Sequence, residues 1–258
     1  MVKWKAFPHA DKAYVHTAAT LKKSWDRLHK GDREPFPKDD KVVEAWIAYH
    51  AGDFQKAHEL GLKAGAAGTN VANKAQAIYA NYLESSEAAK LKMFQEVVER
   101  AEALQSAEPK NVNAHYLHAY ALGRYSQGIS IAKALAQGLG GKVKASLDAA
   151  LKLDAKHADA HIASGADHAE IIGKVGAMIG GLTYGAKQDA ALKHYEQALK
   201  LNPDSAIARI EYANGLVTLM GKAKLKEAEK LYAEAAKCKP ADAMERLDVE
   251  MAKAEIEG

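Results

Sequence analysis

The sequence has almost no cysteine, little proline and few aromatic residues. Among 258 residues there are one Cys and six Pro, and aromatic residues make up 7%. The single Cys238 cannot form an intramolecular disulfide, which excludes a small scaffold held together by disulfides. Hydrophobic residues still account for 48% of the chain. The composition therefore fits a helical protein with a core rich in Ala and Leu.

The sequence also lacks an excess of one charge and any long apolar run. Its 36 basic and 33 acidic residues give a net charge of +3, so we expect no basic surface for nucleic acid or anionic membranes. No run of about 18 apolar residues is present, so no membrane span is predicted. The N-terminus lacks the apolar segment of a signal peptide. The simplest expectation is a cytoplasmic protein, and a periplasmic one if a signal peptide was removed.

Internal repetition is the strongest pattern in the sequence. Residues 153–161 (LDAKHADAH) align with residues 201–209 (LNPDSAIAR), and each segment follows a similar helix end, DAALK or EQALK. A weaker copy, EPKNVNAH, ends at His115, so the copies recur about every 46 to 48 residues. A recurrence of that length is typical of arrays of helical hairpins, in which no hairpin buries its apolar face alone.

The repeats predict an all-α domain of about five hairpins over residues 41–258. Gly52 and Asp53 separate the helices of the first hairpin, and Pro109 and Pro240 end later ones.

Two consecutive hairpins carry inserts between their helices. These inserts are residues 126–141 and 173–186. Gly138 to Gly141 are expected to end the first insert, so that the next helix covers residues 142–153.

The ends of the chain are predicted to cap the array. Residues 1–40 contain a helix at 9–29 and a turn-rich connector, and a closing helix is expected at 241–256. Terminal units of a repeat array must cover an apolar face that has no further neighbour. An N-terminal arm that binds a partner remains the alternative. The apolar stripe of the first helix consists of Tyr14, Ala18, Leu21, Trp25 and Leu28.

A recurring set of small and aromatic residues resembles a known repeat family. The set is Ala191, Tyr195, Ala198 and Pro203, which recurs at the same spacing as Ala228, Tyr232, Ala235 and Pro240. It resembles the second helix of tetratricopeptide (TPR) repeats, over roughly residues 40–240. The resemblance implies a right-handed array of antiparallel helix hairpins, a TPR-like α-solenoid with N-terminal and C-terminal capping helices and no catalytic residues.

The long repeat period indicates which kind of TPR-like repeat the chain resembles. Inserts within two consecutive hairpins make the layout similar to the divergent repeats of the regulator-of-microtubule-dynamics type. The helical-repeat components of some tripartite periplasmic transporters are a related case. The first helices lack the usual Trp-Leu-Gly spacing of TPR repeats, apart from Gly165, and microtubule binding is not implied.

Histidines form the most conspicuous candidate for chemistry. His157, His161 and His168 share one face of a predicted helix, and His115 and His118 share a face in the preceding unit. Neutral imidazole is a common metal ligand, but the Glu of a zinc-protease helix and a cysteine cluster are both missing. We predict that these side chains pack at helix contacts, with a metal or ligand site as the alternative. No cofactor is expected.

The glycine-rich inserts do not have the composition of a phosphate-binding loop. Neither contains Gly-Lys-Ser/Thr, and neither follows a strand. The apolar segment at residues 175–184 is expected to cover a neighbouring helix or to join two subunits of a homo-oligomer. Neither the pair Ser164 and His168 nor Cys238 has the surroundings of a nucleophile.

The first helices of stacked hairpins line the concave side of such an array. Tyrosine and arginine, which often anchor interfaces, are prominent at the positions predicted to lie there. A shift in register would replace several of these residues by histidines. The candidate binding residues are Tyr116, Tyr120, Arg124, Asp159, Ile162, His161, His168, Glu170, Arg209 and Asn214, and the register also places Ile210 and Thr218 there.

The sequence predicts a non-enzymatic adaptor that binds a protein or peptide on its concave groove. The alternative is a small-molecule or metal-binding protein. Its pocket would be lined by the first helices and closed by the glycine-rich inserts.

Overall fold

The computed structural model describes residues 4–257, and all regular structure in that range is helical. The predicted all-α class is confirmed. The α-helices are α1 (Ala18–Leu28), α2 (Asp40–His50), α3 (Phe54–Lys63), α4 (Thr69–Tyr82), α5 (Glu87–Ala107), α6 (Val112–Gln127), α7 (Ile131–Ala136), α8 (Leu139–Leu153), α9 (Ala158–Val175), α10 (Ala177–Tyr184), α11 (Gln188–Leu201), α12 (Ala206–Met220), α13 (Leu225–Ala235) and α14 (Ala243–Glu257).

The repeated sequence marks the starts of three helices. Asn111, His157 and Ser205 occupy the same position in the three copies, and they are the N-caps of α6, α9 and α12. The side chain of each accepts a hydrogen bond from the backbone N–H three residues further on. Each side chain thereby satisfies one of the free N–H groups of a helix start. The repeat is therefore visible in the sequence because the same turn must be capped each time.

The helices form two layers. The inner layer consists of α2, α4, α6, α9, α12 and α14, and the outer layer consists of α3, α5, α8, α11 and α13. Each inner helix contacts the next one along the chain, and α14 also contacts α2. The array therefore closes into a ring, and its concave side is the interior of that ring.

The contacts of α14 close the ring. Arg27 donates two hydrogen bonds, of 2.6 and 2.9 Å, to the carboxylate of Glu245. The carboxylate of Asp242 lies 2.7 Å from Nδ1 of His50, and Tyr82 donates to Asp248. The predicted closing helix thus serves as a sixth inner helix that binds the N-terminal part of the chain.

The first helix is shorter than predicted. Residues 12–14 form a 3-10 turn, and α1 starts only after Thr17, whose side chain caps it together with Thr20. The buried face still includes Tyr14 and Trp25. Four residues of the predicted apolar stripe are buried, but Ala18 is exposed, and the cap that separates the two segments was missed.

The inserts are helical as well. The first contains α7, and the next helix begins at Leu139 rather than at residue 142, because Gly138 adopts a positive φ of 63° and begins the helix instead of ending one. The second contains α10, between Gly176 and Gly185, which both have positive φ. No helix within residues 4–257 is long and apolar enough to cross a membrane.

Candidate binding cavity inside the helical ring

The ring encloses an elongated cavity. The inner helices α4, α6, α9, α12 and α14 line it, and the empty space totals about 1480 Å³, counting the part open to solvent. Most lining side chains are apolar, which is typical of ligand pockets. Six of the predicted binding residues lie on its wall, namely Tyr116, Tyr120, Arg124, Asp159, Ile162 and Glu170.

The insert helices border one end of the cavity. Ile131 and Leu135 of α7, together with Tyr184 of α10, line it there. Both α7 residues are 47% exposed, and Leu182 on α10 is 85% exposed. This end, called the mouth below, therefore combines an apolar rim with access to solvent.

The N-terminal connector covers the opposite end of the cavity. The backbone N–H of Asp159 donates to the carbonyl of Gly31 at 3.1 Å, and Asn113 donates to the carbonyl of Asp32 at 3.0 Å. A Cβ atom on Gly31 would lie 2.3 Å from Oδ1 of Asp159. Only glycine therefore lets the connector pass this close to the start of α9. The connector residues 29–34 are called the plug below.

A buried charge network fixes the plug. Asp32 is 2% exposed, accepts a hydrogen bond from Lys74 and lies 2.8 Å from Nδ1 of His29. Burial opposes its charge, but His29 and Lys74 hold the pKa of Asp32 well below its usual range. Burial lowers the pKa of His29 to about 4. Asp32 and Lys74 thus form an ion pair that holds the plug against α4.

Glu34 lies next to this network, and its pKa is shifted in the opposite direction to that of Asp32. Its carboxylate accepts hydrogen bonds from Asn70 at 3.1 Å and from Asn113 at 2.5 Å. Burial, followed by the charge of Asp32, raises the pKa of Glu34 to about 7. The plug is therefore bound mainly through polar contacts that the sequence did not reveal.

Within the cavity, each cation already has an anionic partner. Five carboxylic acids and three basic side chains line the wall. The ion pairs are Lys74 with Asp32, Arg124 with Glu211 at 2.9 Å, and Lys174 with Glu170. Arg124 also donates to Gln127 at 3.2 Å. The cavity therefore has no free positive charge among the described residues.

Asp248 accepts a hydrogen bond from Tyr82, but two other carboxyl groups of the wall have no side-chain partner among the described residues. Asp159 and Asp167 accept no hydrogen bond from any side chain within residues 4–257. Burial raises the pKa of each to about 7; Lys74 opposes the shift of Asp159, and Glu170 adds to that of Asp167. Both groups can bind a cation without breaking an existing pair.

Tyr116 lies near Asp159. Its carboxyl group is close enough to Tyr116 to raise the pKa of that hydroxyl, after the larger effect of burial. The rings of Tyr116 and Tyr120 lie 6.2 Å apart. The guanidinium of Arg124 lies 5.5 Å from the centre of the Tyr120 ring, in the range of cation–π contacts.

Four predicted binding residues lie outside the cavity. His161 and His168 belong to the contact between α9 and α11. Arg209 donates to the carbonyl of Ser205, and Asn214 accepts a hydrogen bond from Tyr232 at 2.5 Å. Ile210 is also buried, at 2% exposure, and α12 instead contributes Ile207 and Glu211 to the cavity. The register predicted for α12 was therefore wrong by three residues.

The histidines do not form one set. His157 caps α9, and its Nε2 lies 2.9 Å from Oδ1 of Asn113. Nδ1 of His161 lies 2.8 Å from Nδ1 of His194, and the ring centres of His168 and His194 lie 5.9 Å apart. The predicted packing at helix contacts agrees with these positions. No group of three or more His, Cys, Asp or Glu side chains among the described residues could hold a metal ion.

Several cavity residues were not predicted from the sequence. Lys74 and Tyr82 lie on α4, and Asp248 lies on α14. Spacing on α4 could have indicated the first two, because residues 74, 78 and 82 share one helix face. Nothing in the sequence indicated that α14 joins the ring.

Comparisons with known proteins support the fold alone. No family model matches the chain, and no curated protein matches it. TTC0263, a thermophilic TPR protein of Thermus thermophilus, aligns with a TM-score of 0.59 and 18% identity, over 83% of this chain and 98% of the other. YrrB, a TPR protein with an unusual peptide-binding site, aligns with a TM-score of only 0.43 and 14% identity, over 92% and 100%. In its fold, this chain is a TPR-like helical repeat protein.

Proposed function

We propose that the protein is a non-enzymatic adaptor that binds an apolar peptide segment of a partner protein in the cavity of its ring. The observation that carries this proposal is the mostly apolar cavity with its exposed apolar rim. Contiguous exposed apolar surface on a protein often marks an interaction site. The interior of the ring is the concave side of the array, which is the surface that repeat proteins use for binding.

The position of the mouth supports entry of a peptide from one end. The plug is held on the concave side by the buried ion pair of Lys74 and Asp32, and the start of α14 by the contact of His50 with Asp242. Separating the ion pair would leave charges buried without partners. At the mouth, Ile131 and Leu135 are half exposed. A partner can therefore bind at the mouth without displacing any part of the chain.

A small amphipathic molecule is the second candidate ligand. The inserts α7 and α10 border the mouth, and Tyr184 of α10 lies on the cavity wall. Such an arrangement suits a ligand that is enclosed rather than a segment that extends outward. Organic extraction of the purified protein, followed by mass spectrometry, tests this candidate, since a stoichiometric amphipathic compound would favour it.

A variant with a filled cavity tests the proposed function. Ala166 lies on the cavity wall, so Ala166→Phe should place a ring in the space that a ligand needs. The matched control is Ala88→Phe, at an exposed position on α5. Both variants and the wild type would be panned against a library of displayed random linear peptides. We expect enrichment on the wild type and on Ala88→Phe, and its loss on Ala166→Phe.

Two results would contradict the proposal. One is the absence of any enriched peptide on the wild-type protein. The other is equal enrichment on a folded Ala166→Phe variant, because the peptides would then bind elsewhere. Circular dichroism melts of all three proteins establish that the variants are folded.

A further inference from the structure

Resting on the proposed function, we propose that the bound segment carries a lysine or arginine side chain among its apolar residues. Its cationic group would bind the carboxylate of Asp159, beside the ring of Tyr116. The cavity would thus select a basic residue within an apolar sequence. The proposed function specifies only an apolar peptide segment as the ligand, and a basic residue within that segment is the added feature.

The charge balance of the wall is the first support. Lys74, Arg124 and Lys174 are each paired with a carboxylate. Asp159 and Asp167 remain without a side-chain partner in the described part of the chain. A cation that enters the cavity compensates a carboxylate whose desolvation is otherwise unbalanced, whereas an anion would have to separate an existing pair.

The aromatic surroundings select Asp159 over Asp167. Asp159 lies near Tyr116, which is followed one turn later on α6 by Tyr120. Arg124 already places its guanidinium over the Tyr120 ring, which shows that the tyrosines of this wall accept a cation. The groups that affect Asp167 are instead Glu170, Lys144 and Asp148. Of these two carboxyl groups, Asp159 is therefore the one that lies beside an aromatic ring.

The other charges near Asp159 do not cancel its preference for a cation. Lys74 is the nearest cation, but it donates to Asp32 and also lies 5.6 Å from the centre of the Tyr49 ring. Asp32 and Glu245 add negative charge near the same carboxyl group. The apolar neighbours Ile162, Ile207 and Met244 line the same cavity, so a cation on an apolar stem fits better than a hydrated ion.

The composition of selected peptides tests this inference. The library of displayed random peptides would be panned in parallel against the wild type, Asp159→Asn and the control Asp148→Asn. Asp148 is outside the cavity lining, and its side chain is 63% exposed. We expect peptides with Lys or Arg flanked by apolar residues on the wild type and on Asp148→Asn. On Asp159→Asn we expect apolar peptides without the basic residue.

A measurement on the wild-type protein keeps the test independent of variant folding. The best selected peptide would be synthesised with its basic residue and with norleucine in its place. Calorimetry on the wild type should show binding roughly tenfold weaker for the norleucine peptide, and on a folded Asp159→Asn variant the two peptides should bind about equally. The plain alkylamine decylamine and its neutral analogue decanol would be titrated alongside.

The outcomes separate the two proposals. Enriched peptides without a basic residue, or equal affinity of both peptides for the wild type, would overturn the inference and leave the proposed function standing. No enrichment at all would overturn both. Binding of decylamine without any enriched peptide would replace the peptide by a small amphipathic amine.

Discussion

At the scale of single residues, two glycines determine how closely the helices around Tyr195 pack. Tyr195 on α11 is 1% exposed, and its ring lies between Gly165 of α9 and Gly215 of α12. A Cβ atom on Gly165 would lie 2.8 Å from the ring, and one on Gly215 would lie 2.5 Å from it. Since real Cβ atoms do not approach this closely, a side chain at either glycine would push α11 away from α9 or from α12.

Alanine at these glycines should destabilise the fold. In an exposed helix, Gly→Ala stabilises by about 1 kcal/mol, but overpacking a core costs about 1–3 kcal/mol. We expect Gly165→Ala and Gly215→Ala each to lower the free energy of unfolding by about 1–2 kcal/mol, measured by urea denaturation. Gly123→Ala in α6 is the matched control, because nothing lies within 4 Å of its Cβ position. It should stabilise, and a stabilising Gly215→Ala would contradict this account.

His157, at the start of α9, makes the stability of the fold depend on pH. Its ring is fully buried and accepts a hydrogen bond from the N–H of Ala160 through Nδ1. Burial lowers the pKa of His157 to about 4. Between pH 6.5 and 4 the unfolded chain therefore binds a proton that the folded chain does not, and stability falls as the pH falls through this window.

Replacement of His157 by Asn should remove this part of the pH dependence. Asn is also a favourable N-cap but does not titrate. We expect the loss of unfolding free energy between pH 7 and pH 4.5 to be about 2 kcal/mol smaller in His157→Asn than in the wild type. The raised pKa values of Glu34, Asp159 and Asp167 act in the opposite direction, but they cancel in this difference. Equal losses in the two proteins would refute the role of His157.

At the scale of elements, α14 is the helix that turns an array into a ring. It packs on α12 and α13 through apolar residues that include Val249 and Ala252, and polar contacts with the N-terminal part of the chain join it to the start of the array. The pair of Arg27 and Glu245 is the clearest of these, with both oxygens of the carboxylate bound. Glu245 is only 15% exposed in its side chain, so loss of its partner leaves a largely buried charge.

The closing ion pair can be tested by removing the guanidinium. Arg27→Met keeps much of the apolar stem but leaves Glu245 with the N–H of Ala241 as its remaining donor. We expect a loss of about 1–2 kcal/mol in unfolding free energy, together with faster hydrogen exchange in α14. Lys224→Met removes an exposed pair with Glu227 and should change stability by less than about 0.5 kcal/mol. Unchanged exchange in α14 would show that the pair does not hold the helix.

At the scale of the whole molecule, the ring leaves one extensive apolar surface uncovered. Met178 and Leu182 on α10 are 75% and 85% exposed, beside the mouth of the cavity. α10 packs against α9, but these two side chains are left exposed, and we propose that a contact outside the described residues covers them. Self-association through residues 175–184 and binding of a partner are the two contacts proposed for this surface.

Leu182→Glu should separate stability from association. Because the side chain is largely exposed, we expect the melting temperature to remain within about 2 °C of the wild type. Light scattering across a concentration series should show less self-association in the variant. A wild type that stays monomeric at all concentrations would rule out the homo-oligomer and leave partner binding as the explanation. A large drop in melting temperature would instead show that the side chain of Leu182 packs within the molecule.

Local patterns in the sequence were sufficient for the helices. The spacing of apolar residues and the repeated segments that end at His115, His161 and Arg209 predicted the hairpins and their inserts, because both signals act within one or two turns of the chain. The same signals placed Tyr116, Tyr120 and Asp159 on the inner side. They failed for α12, where the small residues on several faces left the register ambiguous.

The amino-acid sequence by itself determined the helices, their caps and the repeating hairpin, since each depends on residues a few positions apart. Only the tertiary structure decided that the array closes, because closure depends on the summed angles between successive hairpins and on pairs such as Arg27 and Glu245, which lie 218 residues apart. Closure also decided which charges face the cavity. Lys74 is neutralised there by the plug, whereas the carboxyl group of Asp159 has no side-chain partner within residues 4–257.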